Sequence, residues 1–363
     1  MQAIFTGVIN PVTTPGKIGQ RYLNTVSGKW FTAKGVASSA DWVQDNLAFV
    51  DVVYTTTTLT VTPPSGAAMA LIRAIGGGGG GGSGRKGAAA SNRNGGWGGS
   101  AGTVDEVLVP LNGVTTLDFV VGAGGALVNG VTADSTNGTI GNDGGDSYVA
   151  DQSGHVLANA QGGTPGKAGT TSTSATHAAS TTWSGSRKPP KYANMIGFRN
   201  AAAALDMSTA SALEGGVAGS GAVAASDSAL PSGRILPGGG GAGKALNTSN
   251  ALGNTAVTCQ GRQGGTDYST MSLPADTSTE GQAGANGTAR TVTSVADCFG
   301  ANGAQGGHFS HAVLNTSAGN GGTGGAPGGG GGGGGAMTNG GTGASGAGGA
   351  GGAGLIAVRY FIQ

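Results

Sequence analysis

Apolar and polar residues alternate in short runs near both ends of the chain, while the long middle follows neither a strand period nor a helix period. Residues 47–54 form an apolar run of buried-strand character. Thr56-Thr-Thr-Leu59-Thr-Val61-Thr alternates with period two, which predicts a half-buried strand with Leu59 and Val61 as its apolar positions. Pro63-Pro64-Ser65-Gly66 then turns the chain into 70–75, and strands continue at 104–109, 116–121 and 146–149. Leu355-Ile-Ala-Val-Arg-Tyr-Phe361 resumes the pattern at the C-terminus and is predicted to close the sheet begun near residue 50. On that reading, 76–354 elaborates the connections of one sheet. Ahead of it, 17–32 reads as two short strands joined at Asn24-Thr-Val-Ser-Gly28. Residues 1–46, with Trp30 and Trp42, are therefore a small β module, and 47–363 a second domain with an insert at about 166–235. Within the insert, 199–214 is predicted as a short helix ended by Gly215.

The middle is set by glycine, 79 of 363 residues, against an average of about 7%. From Gly319 it runs GNG-GTG-GAP-GGG-GGG-GGA-MTN-GGT-GAS-GAG-GAG-GAG, with glycine opening every triplet but the one at Met337. A period of three matches the polyproline-II helix, with its three residues per turn and rise of ~3.1 Å. Glycine loses more backbone entropy on ordering than any other residue. An ordered region this rich in glycine therefore needs dense hydrogen bonding between chain segments. The expectation is a mainly β protein elaborated by packed polyglycine-II-like helices and irregular loops. Two extended legs are predicted at 319–336 and 340–354, reversing near Met337-Thr-Asn339.

Charge and composition narrow the function. Lys plus Arg is 18 and Asp plus Glu is 17, a net charge of +1, which lacks the electrostatic footprint of a nucleic-acid binder. No apolar run approaches the ~20 residues that span a bilayer. Met1-Gln-Ala-Ile-Phe5 lacks the basic-then-apolar pattern of a signal peptide. Charged residues are 10% and aromatic residues 5%, an unpromising composition for a conventional enzyme core. Cys259 and Cys298 suit either one closed loop or two buried thiols in a reduced compartment.

Several motifs resemble catalytic ones without their context. In a chain this rich in glycine, GxGxxG occurs by chance. Gly238-Gly-Gly-Gly-Ala-Gly243-Lys244-Ala245 lacks the Ser or Thr of a phosphate-binding loop. Gly98-Gly-Ser100-Ala-Gly102 lacks the strand before and the helix after that a nucleophile elbow requires. His308 and His311 lie three apart without a third metal ligand. Asn142-Asp143-Gly-Gly-Asp146 reads as a turn rather than a calcium repeat. The acids are too scattered to nominate a catalytic pair. No enzyme, cofactor or metal is expected.

The order of these parts resembles glycine-rich domains of bacteriophage tail-fibre proteins. The resemblance rests on the period-two strand, Pro63-Pro-Ser-Gly66, a second strand and then Gly76 to Gly82. Gly141-Asn-Asp-Gly-Gly-Asp-Ser147-Tyr-Val with His155-Val-Leu-Ala-Asn-Ala-Gln-Gly-Gly163 is similar to their recurring GG-S-strand-GG unit. Gly354-Leu-Ile-Ala-Val-Arg-Tyr-Phe is similar to their terminal strand. Gly19-Gln-Arg-Tyr-Leu-Asn-Thr25-Val-Ser-Gly28 with Ala40-Asp41-Trp42-Val43 resembles a short module of phage tail proteins. A more distant likeness is to the tail-fibre tip adhesins of T-even-like phages, which pack polyglycine-II helices and display variable loops.

The resemblance implies a non-catalytic virion tail protein that binds a receptor on the bacterial surface, either a glycan or an outer-membrane protein. Its other partners would be tail, fibre or baseplate proteins, and it would act as a homotrimer or as a cap on a trimeric fibre. Residues 1–46 would mount it on the virion. The alternatives are a purely structural tail component and an extracellular ice-binding or matrix-type protein; ice binding calls for evenly spaced Thr, and Thr here clusters at 55–58 and 170–173. A glycine frame offers few side chains, so recognition falls to the segments between glycine runs. The candidates are Trp183, Arg187, Lys188, Tyr192 and Phe198 in 170–214, Tyr268 in 266–280, and Phe299, His308 and Phe309 in 299–311. The same aromatics would equally serve to plug the ends of the glycine layers.

Overall fold

The computed structural model describes residues 4–7, 11–18, 20–24, 30–44, 48–171, 237–246, 248, 280–310 and 316–362. The predicted helix at 199–214 lies outside them. The described part is mainly β, with one 3-10 turn and no α-helix among those residues. Two compact units divide the chain. One is Met1–Val50 with Pro64–Ala68 and Phe361–Gln363; the other is Asp51–Pro63 with Met69–Tyr360.

The first unit is a four-stranded sheet in the order β1 (Ile4–Gly7), β2 (Arg21–Asn24), β3 (Trp30–Ala33), β4 (Trp42–Gln44). β1 pairs parallel with β2, and the other pairs are antiparallel. Phe31, Ala33 and Trp42 form its core. Tyr22 meets Phe31 and Trp42 edge-on, with ring centroids 6.4 and 5.8 Å apart. The Trp42 indole N–H donates to the Thr13 carbonyl at 2.7 Å, which satisfies the polar edge of an otherwise apolar ring. Ser38 and Asp41 form a capping box that turns the chain into β4. The sequence predicts β2 and β3 from the turn composition between them; β1 and β4, of four and three residues, are not predicted.

In the second unit the longer strands form two four-stranded sheets rather than one, and the two-residue strands β8 (Lys86–Gly87) and β13 (Met337–Thr338) pair in parallel apart from them. β5 (Ala48–Tyr54), β14 (Leu355–Ile362), β7 (Ala67–Ile75) and β9 (Val104–Pro110) make one sheet in that order. β12 (Val156–Ala160), β11 (Ser147–Asp151), β10 (Leu117–Val120) and β6 (Thr58–Val61) make the other. The C-terminal strand thus lies beside the strand begun near residue 50, as predicted. The single-sheet reading fails because alternation fixes which face a strand buries and not which strand it joins. Across the two sheets, Tyr54 stacks on Phe119 with centroids 3.9 Å apart and planes 10° from parallel. Ala70, Ile72 and Ala74 alternate into the core of β7, and Leu117 and Phe119 into that of β10. The Arg359 guanidinium binds Asp51 through two hydrogen bonds of 2.8 and 2.7 Å, tying β14 to β5.

From the strand ends the chain extends into a bundle of straight legs, and their hydrogen bonds repeat every three residues. In 76–86, the N–H groups of Gly78, Gly81 and Gly84 donate to the carbonyls of Gly352, Gly349 and Gly346. Those of Gly79, Gly82 and Arg85 donate to Ser100, Trp97 and Asn94. Those of Gly77, Gly80, Ser83 and Lys86 donate to Gly145, Asn142, Thr139 and Thr136, and all these bonds are 2.8–3.1 Å. The carbonyls of the same leg accept from Gly163, Gly166 and Gly169, from Gly331 and Gly334, and from Gly125. A leg surrounded in this way buries all of its rows. Its residues are accordingly an almost unbroken glycine run, as they are in 328–335, where every residue is buried.

Legs at the rim follow the same logic with fewer neighbours. In 161–171 only Gly163, Gly166 and Gly169 are buried, and the rows between them carry Thr, Pro, Lys and Ala. In 316–325 the exposed row is Ser317, Asn320 and Thr323. Two of its side chains cap the next leg, because Ser317 Oγ and Asn320 Oδ1 accept from the N–H groups of Ala344 and Ala347. Backbone amides at the edge are thereby satisfied, as buried and half-buried amides must be. A Cβ at Gly331 would fall inside contact distance of the Gly349 carbonyl oxygen, and one at Gly81 inside that of Gly332.

The leg predicted at 319–336 is in fact two. Gly329, Gly332 and Gly335 donate back to Gly325, Gly322 and Gly319, so the chain reverses at Ala326-Pro327-Gly328, where Gly328 has φ 78°. The Pro-Gly pair is the turn signal that the triplet count overrides. The second reversal falls after Met337-Thr338-Asn339, as predicted, with Gly340 at φ 89°.

Candidate functional site

The two ends of the bundle differ in chemistry. Where the legs leave the sheets, Ile75, Val104, Val295, Cys298, Leu355 and Ala357 form an apolar cluster. Segment 291–299 covers it, held by Arg73, whose Nη1 donates to the carbonyls of Val295 (2.8 Å) and Cys298 (3.1 Å) and whose guanidinium pairs with Glu106. Burial pushes the Cys298 thiol up to about 12, which makes it inert as a nucleophile. Cys298 has no disulfide partner among the described residues, and Cys259 lies outside them.

The far end buries many polar groups alongside Leu246 and Met337. Lys86, Arg93, Asn94, Lys244, His308, Ser310, Thr338 and Ser345 are all buried there. The Lys86 ammonium is encircled by the carbonyls of Thr132 (2.9 Å), Gly341 (2.7 Å) and Gly343 (3.0 Å) and by the Asp134 carboxylate (3.1 Å). It thereby ties the turns 131–136 and 338–344 together. Arg93 donates to the Thr338 hydroxyl at 3.1 Å, and burial lowers its guanidinium below the ordinary value.

This end also carries the anchor points of the segments with the predicted recognition residues. Asn94, beside Arg85, donates to Thr170. Arg93 and Leu246 exchange backbone bonds, Gly281 donates to Phe309, and Ser310 Oγ donates to the Thr316 carbonyl. Thr170, Leu246, Gly281, Ser310 and Thr316 therefore all lie at the far end. Pro327 and Ala301 lie at the sheet end, where Ala301 receives the Gly238 N–H. Trp183, Arg187, Lys188, Tyr192, Phe198 and Tyr268 lie outside the described residues, as does His311. Phe299 is half-buried at the sheet end of the leg 300–310, and the half-buried Phe309 and buried His308 are at its far end. The leg separates residues that the sequence groups in one segment, 299–311. Among the described residues, no three His, Cys, Asp or Glu side chains are placed to share a metal ion.

A second feature escapes the sequence reading. On the outer face of the β6–β10–β11–β12 sheet lies an open groove of about 490 Å³, lined by Thr57, Leu59, Asp118, Val120 and Tyr148 among others. Its edge is shaped by Thr60, which has φ 59°, in the left-handed region that a β-branched residue rarely adopts. The Thr60 N–H donates to Asp118 Oδ1 at 2.7 Å, and the Val121 N–H donates to Thr57 Oγ1 at 3.1 Å. The register of β6 against β10 slips at this point. The irregularity turns Leu59 outward, 58% exposed, whereas strict alternation puts it on the inner face with Val61. The alternation of Leu117-Asp-Phe-Val in β10 does place Asp118 and Val120 outward. Nothing in the sequence marks Thr60.

No family model matches the chain, and no curated protein matches it in sequence.

Proposed function

We propose that the chain is a receptor-binding protein of a bacteriophage tail fibre or tail tip, and that its glycine legs are packed polyglycine-II helices. The supporting observation is the far end of the bundle. A frame almost without side chains anchors there the Thr170 flank of 172–236, both flanks of 249–279 and both flanks of 311–315. Those segments, with the legs that lead into them, hold most of the aromatic and basic residues expected to recognise a partner. Three-residue hydrogen-bond repeats, with buried rows of glycine and exposed rows of larger residues, support the polyglycine-II reading.

On this reading the protein is part of the virion and performs no catalysis. It contacts other tail, fibre or baseplate proteins, with 1–46 as the mount, and acts as a homotrimer or as the cap of a trimeric fibre. The receptor is a glycan or outer-membrane protein of the host. Purified protein should bind host cells and compete with intact phage for adsorption. Alanine at Trp183, Tyr192, Tyr268 or Phe309 should weaken that binding in at least one folded variant. Unchanged adsorption by every folded variant would move recognition away from the far end. Slow amide exchange across 319–354 is expected of the lattice, and fast exchange throughout would refute it.

A further inference from the structure

We propose that the groove on the outer face of the β6–β10–β11–β12 sheet binds a neutral sugar ring. At about 490 Å³ it has the size of a small-ligand site, for which roughly 300–1,000 Å³ is usual. Its walls combine the Tyr148 ring with the aliphatic side chains of Leu59 and Val120. An aromatic face beside aliphatic carbon covers the C–H face of a pyranose. The polar groups suit its hydroxyls. Asp118 spends one oxygen on the Thr60 N–H, and its carboxylate accepts strong charge-assisted bonds from hydroxyl donors. Thr57 Oγ1 accepts from the Val121 N–H, which leaves its own O–H to donate.

That pairing of an acceptor with a donor decides the ligand class. An ammonium or guanidinium ligand has donors only, so it would pair with Asp118 but could accept nothing from the exposed Thr57 hydroxyl, which would keep water instead. A phosphate, sulfate or uronate would meet the Asp118 carboxylate with no lining cation to offset the repulsion. A sugar hydroxyl both donates and accepts. The left-handed Thr60 is a second observation pointing the same way. Backbone strain of this kind concentrates at binding sites, where the surroundings hold it in place. Here it presents Leu59 and orients Asp118.

The assignment does not depend on the tail-fibre reading. Its test uses the full-length protein and ligand-observed saturation-transfer NMR. The probes are the methyl pyranosides of glucose, galactose, mannose and N-acetylglucosamine, with N-acetyl-lysine methylamide as the cationic control. At least one pyranoside should receive saturation at its ring C–H protons. Affinity should fall roughly tenfold or more in Tyr148→Ala and in Asp118→Asn, the loss of one good contact. Asp118→Asn keeps an acceptor for the Thr60 N–H, so the fold of the edge is preserved, and a matching amide spectrum checks this. No transfer to any pyranoside, equal transfer in both folded variants, or preference for the lysine derivative would each overturn the proposal. Lost cell adsorption with pyranoside binding intact counts against the tail reading alone. The reverse result counts against the groove alone.

Discussion

The glycine bundle and the two four-stranded sheets, a sandwich in so far as Tyr54 stacks on Phe119 between them, are built from the same chain by opposite means. In the sandwich, side chains fill the space between sheets, and Phe119, Ile72 and Tyr360 are each almost wholly buried. Its strength is apolar area removed from water, at about 25 cal/mol per Å². In the bundle the side chain is what has to be missing. Gly331 and Gly81 sit where any Cβ would strike a neighbouring carbonyl oxygen. Cohesion there comes from backbone hydrogen bonds, each worth about 1 kcal/mol net, while a buried amide left unmet costs about 1–3 kcal/mol. A sandwich tolerates a smaller residue at some cost in cavity. The bundle should tolerate neither a larger residue on a buried row nor a broken bond, because every leg shares its bonds with several others.

The sharpest test of this contrast places the same side chain on two rows. Gly331→Val should destabilise the protein by at least about 5 kcal/mol, enough to leave little of it folded. Ala350→Val, on a half-exposed row of a neighbouring leg, should stay within about 0.5 kcal/mol of the parent. Comparable losses in the two variants by thermal unfolding would refute the account of buried rows. In the sandwich, Phe119→Ala should cost about 3–5 kcal/mol by the usual transfer and cavity effects. It should do so without raising amide exchange in 328–335 to the unfolded rate.

At the far end, Lys86→Met should cost about 2 kcal/mol, because three carbonyls and a carboxylate lose their shared donor. The loss should appear as faster exchange at turns 131–136 and 338–344. At the sheet end the smallest effect is pH-dependent. Partial burial acts to raise the Asp297 carboxyl, but hydrogen bonds from the side chains and backbone N–H groups of Thr293 and Ser294 outweigh it and hold the group at about 2. A carboxyl depressed in the folded state stabilises above its ordinary value near 4 and loses that contribution as pH falls towards 2. Asp297→Asn should therefore lower stability at pH 6 and flatten the acid limb between about pH 4 and 2. An unchanged acid limb would show that the Asp297 turn forms equally well in the unfolded chain.

How much of this was legible varies with the physics of each element. The runs at 70–75, 104–109 and 355–361 announce strands because burial on one or both faces demands apolar residues there. Triplet glycine announces extended legs, because a row that faces a neighbour has room only for hydrogen. Reversal at Met337–Asn339 was readable from the break in the triplets. The one at Ala326-Pro327-Gly328 carries a Pro-Gly turn signal, but the triplet period runs through it unbroken and masks it. Phe299 and His308 look like neighbours in sequence and lie at opposite ends of one leg, since an extended segment carries its ends far apart. Of the groove, only the outward positions Asp118 and Val120 follow from alternation.

By itself, then, the sequence determined which rows are buried: a missing Cβ or an apolar side chain at a regular period is a local property written residue by residue. Which leg lies beside which, the division of the strands into two sheets, the gathering of chain anchors at the far end and the left-handed Thr60 were decided only by tertiary structure. Identical glycine rows can bond to one another in many arrangements of nearly equal local energy. The choice among them falls to the few residues that break the repeat, such as Lys86 bonding to carbonyls more than two hundred residues away.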